Sequence, residues 1–163
     1  MRLINNLLAA LTDPGEAATR GWWAPLLNLF QTLGLLAARL YIARVFFVSG
    51  LTKLRDWDIT LALFQDEYHV PFLPPEVAAY MGTGGELGLS ALLVLGVGGR
   101  FAALGLSIVN LMAALSLEEI APAALLGHQL WGVLLLVIAL WGPGAVALDR
   151  WLHPWLTRRL GWA

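Results

Sequence analysis

The 163-residue chain contains no cysteine, which excludes disulfides, thiol exchange and cysteine-ligated metals. Charge is scarce as well. Asp, Glu, Lys and Arg together make up 13% of the residues and cancel to a net charge of −1, where a soluble domain carries about 25% charged residues. The chain therefore lacks the basic footprint that a nucleic-acid binder needs, and no nucleic-acid partner is expected. No P-loop, GxSxG, HExxH or Rossmann fingerprint occurs in it. What remains is apolar: 59% of residues are hydrophobic, and the mean hydropathy is +0.72. Such a composition predicts an all-α, polytopic membrane four-helix bundle with short interfacial helices, forming one domain over residues 1–163, with the lipid bilayer as its first partner.

Punctuation in the chain sets the spans. Residues 1–25 read as an interfacial segment rather than a cleaved signal: Leu3, Leu7, Leu8 and Leu11 share a helical face, and Trp22-Trp23 form an interfacial anchor. Transmembrane helices are predicted over 26–54, 75–97, 101–117 and 123–141, each close to the roughly 20 residues that cross a hydrocarbon core. Asp58 is the expected N-cap of a short interfacial helix between the first two spans. His69-Val70-Pro71 and Pro74-Pro75 impose an extended connection after it. Gly84 and Gly88 form a GxxxG spacing that permits close helix approach, with Gly85 widening the smooth surface. Gly142-Pro143-Gly144 ends the fourth span, and 145–163 is a basic-aromatic interfacial tail.

Four spans put both termini on one side. That side collects Arg2, Arg20, Arg100, Arg150, Arg158 and Arg159, against Lys53 and Arg55 on the other. The imbalance predicts cytoplasmic termini.

The first span carries Arg39 and Arg44 within its apolar run. A guanidinium at membrane depth costs at least about 2.5 kcal/mol unless something pairs with it. At about 100° per residue, Arg39, Gly50 and Lys53 share one stripe, while Arg44, Leu51 and Arg55 form a second, about 140° away. Glu86, midway along the second span, is the expected partner of Arg44, with Arg39 as the alternative. Asn110 lies at similar depth, and His128 nearer the outer face. Two readings of this polar cluster stay open. It fixes helix register only, or it is a working site for a proton relay or a quinone head group. In the second reading Glu86 and His128 are the catalytic candidates. Arg44 and Arg39 supply positive charge, Asn110 belongs to the cluster, and Tyr41 or Trp131 packs on the ring. A quinone is the one cofactor considered, none is bound covalently, and no metal is assigned. Asp66, Glu67, His69, Glu118 and Glu119 offer hard metal ligands on the outer side but without a tight spacing motif.

The run Phe46-Phe47-Val48-Ser49-Gly50-Leu51-Thr52-Lys53-Leu54 resembles the ending of the first span in DoxX-like membrane proteins. Glu86 and Gly88 before Leu95-Gly96, then Arg100 opening the third span, are similar to that family's central pattern. The resemblance covers roughly residues 33–142. It implies a four-helix bundle in the bacterial inner membrane, and some relatives are subunits of thiosulfate:quinone or terminal quinol oxidase systems. By that resemblance the chain is a membrane subunit of a quinone-linked redox system, receiving electrons from a partner protein. The stretch from Trp57 to Phe64, continuing through Tyr68-His69-Val70-Pro71 to Leu73-Pro74-Pro75-Glu76, resembles a branch often encoded beside enzymes that modify cysteine-rich, metal-binding peptides. This implies the alternative: a non-catalytic partner or anchor in a metal-stress or modified-peptide export system. A small transporter is disfavoured because no inverted repeat or broken helix pair is evident. A homodimer is compatible with the sequence.

Overall fold

The computed structural model describes residues 24–152. The expected surface helix at Leu3–Leu11, the Trp22-Trp23 anchor and the tail beyond Leu152 lie outside the described residues. Within them run α1 (Ala24–Arg55), α2 (Trp57–Asp66), α3 (Pro75–Leu95), α4 (Gly99–Leu115) and α5 (Pro122–Trp141). A further helical turn opens at Asp149. No strand forms among the described residues beyond an isolated antiparallel bridge between Tyr68 and Leu117.

Helices α1, α3 and α5 are long and apolar enough to cross a membrane. Helix α4, with 17 residues, sits at the short end of the spanning range of about 17–25. The chain is a multi-pass membrane protein with an all-α bundle. Its long helices alternate in direction: Gly50 meets Leu87 while Arg39 reaches Gly96, and Gly105 meets Leu89 while Gly85 meets Val109. Helix α1 packs on α3, α3 on α4, α4 on α5, and α5 returns to α1, with α2 lying against α3 and α1.

Lipid tails are as apolar as leucine, so the bundle is held by close packing rather than by hydrophobicity alone. Ile42, Ala43, Phe46, Leu93, Ala102, Ala103, Leu106, Leu135 and Ile138 form the buried core. A smaller cluster of Phe64, Ala78 and Ala79 fastens α2 to α3. Close approach is made by Gly50 and Gly105. An added Cβ would stand 2.8 Å from the Leu87 side chain at Gly50, and 2.7 Å from that of Leu89 at Gly105. The expected GxxxG contact does not form: nothing lies within 4 Å of a Cβ built at Gly84 or Gly88. The reason is rotational. Thr83, Glu86 and Ser90 are buried on one face of α3, and turning that polar face inward carries Gly84 and Gly88 outward.

Chain punctuation differs from the expected bounds by one or two residues, each time for a local reason. Asp56, not Asp58, is the N-cap of α2; its carboxylate accepts from the Ile59 amide at 3.0 Å, and Asp58 falls in the first turn. Gly96 and Gly98, with φ of 68° and 57°, make a left-handed turn that ends α3 at Leu95. The Asp149 carboxylate accepts from the amides of Gly98 (2.8 Å) and Gly99 (2.9 Å), satisfying orphan donors and starting α4 at Gly99. Between α2 and α3 His69 donates its amide to the Ser116 carbonyl at 2.8 Å. The chain then turns at Pro71-Phe72, with Phe72 at a φ of 65°, so the extended connection expected as far as Pro75 forms only in part.

Candidate functional site

Ser49 and Lys53 stand one helical turn apart on α1 and face Glu86 of α3. The Lys53 ammonium donates to both Glu86 oxygens, at 2.7 and 2.8 Å, and to Ser49 Oγ at 3.0 Å. Ser49 donates in turn to Glu86 Oε1 at 3.2 Å. All three Lys53 protons are therefore used. The pair is well shielded, with side-chain exposures of 19% for Lys53 and 8% for Glu86. Gly50 lies between Ser49 and Lys53 and lets α3 approach closely enough for the short contacts.

One turn of α4 and the first turns of α5 supply a second polar unit. His128 Nδ1 lies 2.9 Å from Asn110 Oδ1, and Asn110 Nδ2 donates to the His128 carbonyl at 2.8 Å. Because the amide nitrogen is spent on that carbonyl, Oδ1 accepts and Nδ1 carries the proton. A neutral ring then presents the lone pair of Nε2. Trp131, one turn further along α5, packs edge-on against both His128 and Phe46, with ring centroids 5.0 and 6.0 Å away.

A cavity of about 720 Å³ joins the two units. Ser49, Lys53, Glu86, His128 and Trp131 line it, and its remaining wall is mostly aliphatic and aromatic, including Phe46, Phe64, Val109 and Met112. Tyr68 closes the end toward the α2–α3 connection, edge-on to Phe64 at 5.0 Å. Burial above all, with the negative charges of Glu67 and Glu86 added, pushes the Tyr68 phenol above its ordinary pKa. It is therefore a neutral donor at physiological pH.

Two sequence expectations are corrected here. The Arg44–Glu86 pair does not form, because Arg44 is exposed on the outer surface of α1 and Lys53 holds the carboxylate. Arg44 needs no carboxylate. Helical side chains lean toward the N-terminus, and the level of Arg39 and its loop partners is only about 7.5 Å away along the axis, within reach of a snorkelling guanidinium. Arg39 does not pair with Glu86 either. It is 2% exposed and donates from Nη1 to the Pro143 carbonyl and from Nη2 to the Val146 carbonyl, both at 2.7 Å. That puts it about 21 Å along α1 from Lys53. Of the remaining candidates, Asn110 orients His128 from behind. Tyr41 is 45% exposed and meets Trp131 through a long 3.4 Å bond from Nε1 to its hydroxyl. The five acidic and histidine residues considered as metal ligands do not converge: among the described residues, no three such side chains come together.

Lys53, Ser49 and Tyr68 are the site residues that spacing and depth did not single out. A signal for Lys53 was present, since it shares a helical stripe with Gly50, and Ser49 precedes it by one turn. Nothing local marks Tyr68, which reaches the cavity only because the bridge to Leu117 folds the connection back.

A family model described as DoxX matches residues 34–119, which include the ion pair and Asn110 but not His128 or Trp131. The chain is also similar to an uncharacterized protein of Haemophilus influenzae. The two are 32% identical over 126 residues, covering 72% of this chain and 82% of that protein. No solved structure matches the chain.

Proposed function

This chain belongs to the DoxX family, and from that premise we propose that it is the membrane subunit of a quinone-linked redox system, with the cavity beside Lys53 and Glu86 holding the quinone head group. The carrying observation is the cavity itself. Ligand sites of about 300–1,000 Å³ with apolar walls and a few polar groups fit drug-sized molecules, and this one has His128 Nε2 and the Tyr68 hydroxyl without protein partners among the described residues. Those two groups and the aromatic edge of Trp131 suit a flat ring bearing oxygens. Such a head group supplies two-electron, two-proton chemistry when bound, with electrons arriving from a partner protein. Reduction consumes two protons: His128 Nε2 would take one up and pass it to a carbonyl oxygen of the ring, while Tyr68 would donate a hydrogen bond to the other carbonyl. Glu86, held by Lys53 and Ser49 on the same cavity wall, would relay the second proton: while it is protonated Lys53 stands without its counter-charge, so the carboxyl gives the proton up again. The reading includes the bacterial inner membrane with cytoplasmic termini.

The test is purification in mild detergent, extraction of bound lipid, and titration with a short-chain quinone analogue. Co-purifying quinone, or saturable analogue binding weakened at least tenfold by His128→Leu, supports the reading. A preparation that contains no quinone and ignores the analogue rejects it.

A second reading has its own observation. Asp56, Asp58, Asp66, Glu67, Glu118 and Glu119 are all exposed around the cavity end of the bundle, an acidic rim suited to docking a partner protein or exported peptide. As a non-catalytic anchor the chain would keep partner binding in Glu86→Gln, whereas the redox reading requires that variant to fold and lose quinone-dependent turnover.

A further inference from the structure

We propose that the end of the bundle remote from Lys53 carries a binding site for the headgroup of an anionic phospholipid, gripped by Arg100 and Arg150. A groove of about 580 Å³ lies there between the start of α4 and the chain that follows α5. Its two cations come from different elements and have no carboxylate partner among the described residues. The carboxylate in the groove, Asp149, spends both oxygens on the Gly98 and Gly99 amides, and Arg100 makes only a 3.4 Å bond to the Leu140 carbonyl. Arg150 makes no side-chain hydrogen bond or ion pair among the described residues.

The groove is built rather than incidental. Arg39, buried beneath it, fixes the Pro143 and Val146 carbonyls, and the Asp149 cap ties the far wall to α4. Both guanidinium groups therefore project from a fixed frame, and ordering them on a ligand loses little backbone entropy.

The walls decide the ligand class. Phe101 is 68% and Trp141 63% exposed, and both line the groove at the level where aromatic side chains meet the headgroup layer. Below them Leu104 and Leu140, also exposed, continue along α4 and α5 into the apolar surface. A phosphodiester with acyl chains satisfies every part of this surface at once: its phosphate meets the arginines, its glycerol the aromatic rings, its chains the leucines. Free phosphate would meet the same arginines but leave most of the wall without a complement.

The experiment uses the full chain, delipidated in detergent, and native mass spectrometry with phosphatidylglycerol and phosphatidylcholine of identical acyl chains. Each arginine near an anionic headgroup gives roughly a fivefold preference, so phosphatidylglycerol should bind on the order of 25-fold more tightly than phosphatidylcholine. The Arg100→Gln/Arg150→Gln pair should erase that preference with thermal unfolding of the lipid-free protein unchanged. Arg55→Gln, at the other end of α1, should keep it. Equal binding of the two lipids, or an undiminished preference in the double variant, overturns the proposal. Displacement of phosphatidylglycerol by millimolar inorganic phosphate also overturns it, in favour of a simple anion site. Each result is independent of quinone binding at the opposite end.

Discussion

Lys53 and Arg39 are two shielded cations on one stripe of α1, about 21 Å apart, and the protein treats them in opposite ways. Lys53 is held by a carboxylate, which can itself take up a proton, and it borders a cavity. Arg39 is held by two backbone carbonyls, which cannot be protonated in any ordinary range, and it lies under a packed loop. A charge whose partner titrates beside open space is able to change state. A charge clamped by main chain is a fastener. The contrast separates the end of the bundle suited to chemistry from the end suited to holding the chain together.

The sharpest way to break that contrast is Glu86→Ala, which leaves the Lys53 ammonium buried without its partner. Removing one member of a buried pair costs about 3–5 kcal/mol, so a large loss in reversible detergent unfolding is expected. Lys53→Met/Glu86→Leu should recover most of that stability while binding of the quinone analogue is still lost. A double variant that binds normally would reduce the pair to a fastener like Arg39. Arg39→Met comes next, at about 3 kcal/mol, the low end for two charge-assisted bonds of about 1.5–3 kcal/mol each. In the same unfolding assay the loss should come with unchanged analogue affinity. Asp149→Ala removes the α4 cap and should cost about 1–2 kcal/mol, with faster amide hydrogen exchange confined to the start of α4.

The smallest effect concerns Tyr68. Its raised pKa means that the unfolded phenol ionises first, near pH 10, and the folded one only at higher pH. Stability from this group is therefore complete below pH 10 and is lost as pH rises through the folded value. Tyr68→Phe should flatten that alkaline decline in stability. A Tyr68 absorbance titration centred on the ordinary pH would show that the phenol is not shielded from water as its burial implies.

Much of this architecture was legible in the residues, because apolar runs of spanning length and Gly/Pro punctuation act locally. Pro75 and Pro122 open helices, Gly96 and Gly142 close them, and each does so from its own backbone preferences. The existence of a shared polar interior also followed from Glu86 and Asn110, which no lipid-facing surface tolerates cheaply. Pairing did not follow, because depth alone ranks Arg44 and Lys53 poorly. The choice depends on helix rotation, which the burial of Thr83, Glu86 and Ser90 on one face of α3 sets collectively. The same rotation turned the Gly84–Gly88 motif away from its expected use. Arg39 was assigned to the wrong partner for a related reason: carbonyls of a loop more than a hundred residues away carry no signature in sequence.

Consider finally what the Asn110 amide does to the imidazole it touches. With one ring nitrogen committed to Asn110, the two nitrogens of His128 hold fixed addresses, one facing the helices and one facing the hollow. Asn110→Leu would let the ring turn over, and a compartment that offers visitors a lone pair would offer a lone pair or an N–H by chance. Which ring nitrogen faces the hollow is thus set by an amide that stands behind the ring and lines none of it.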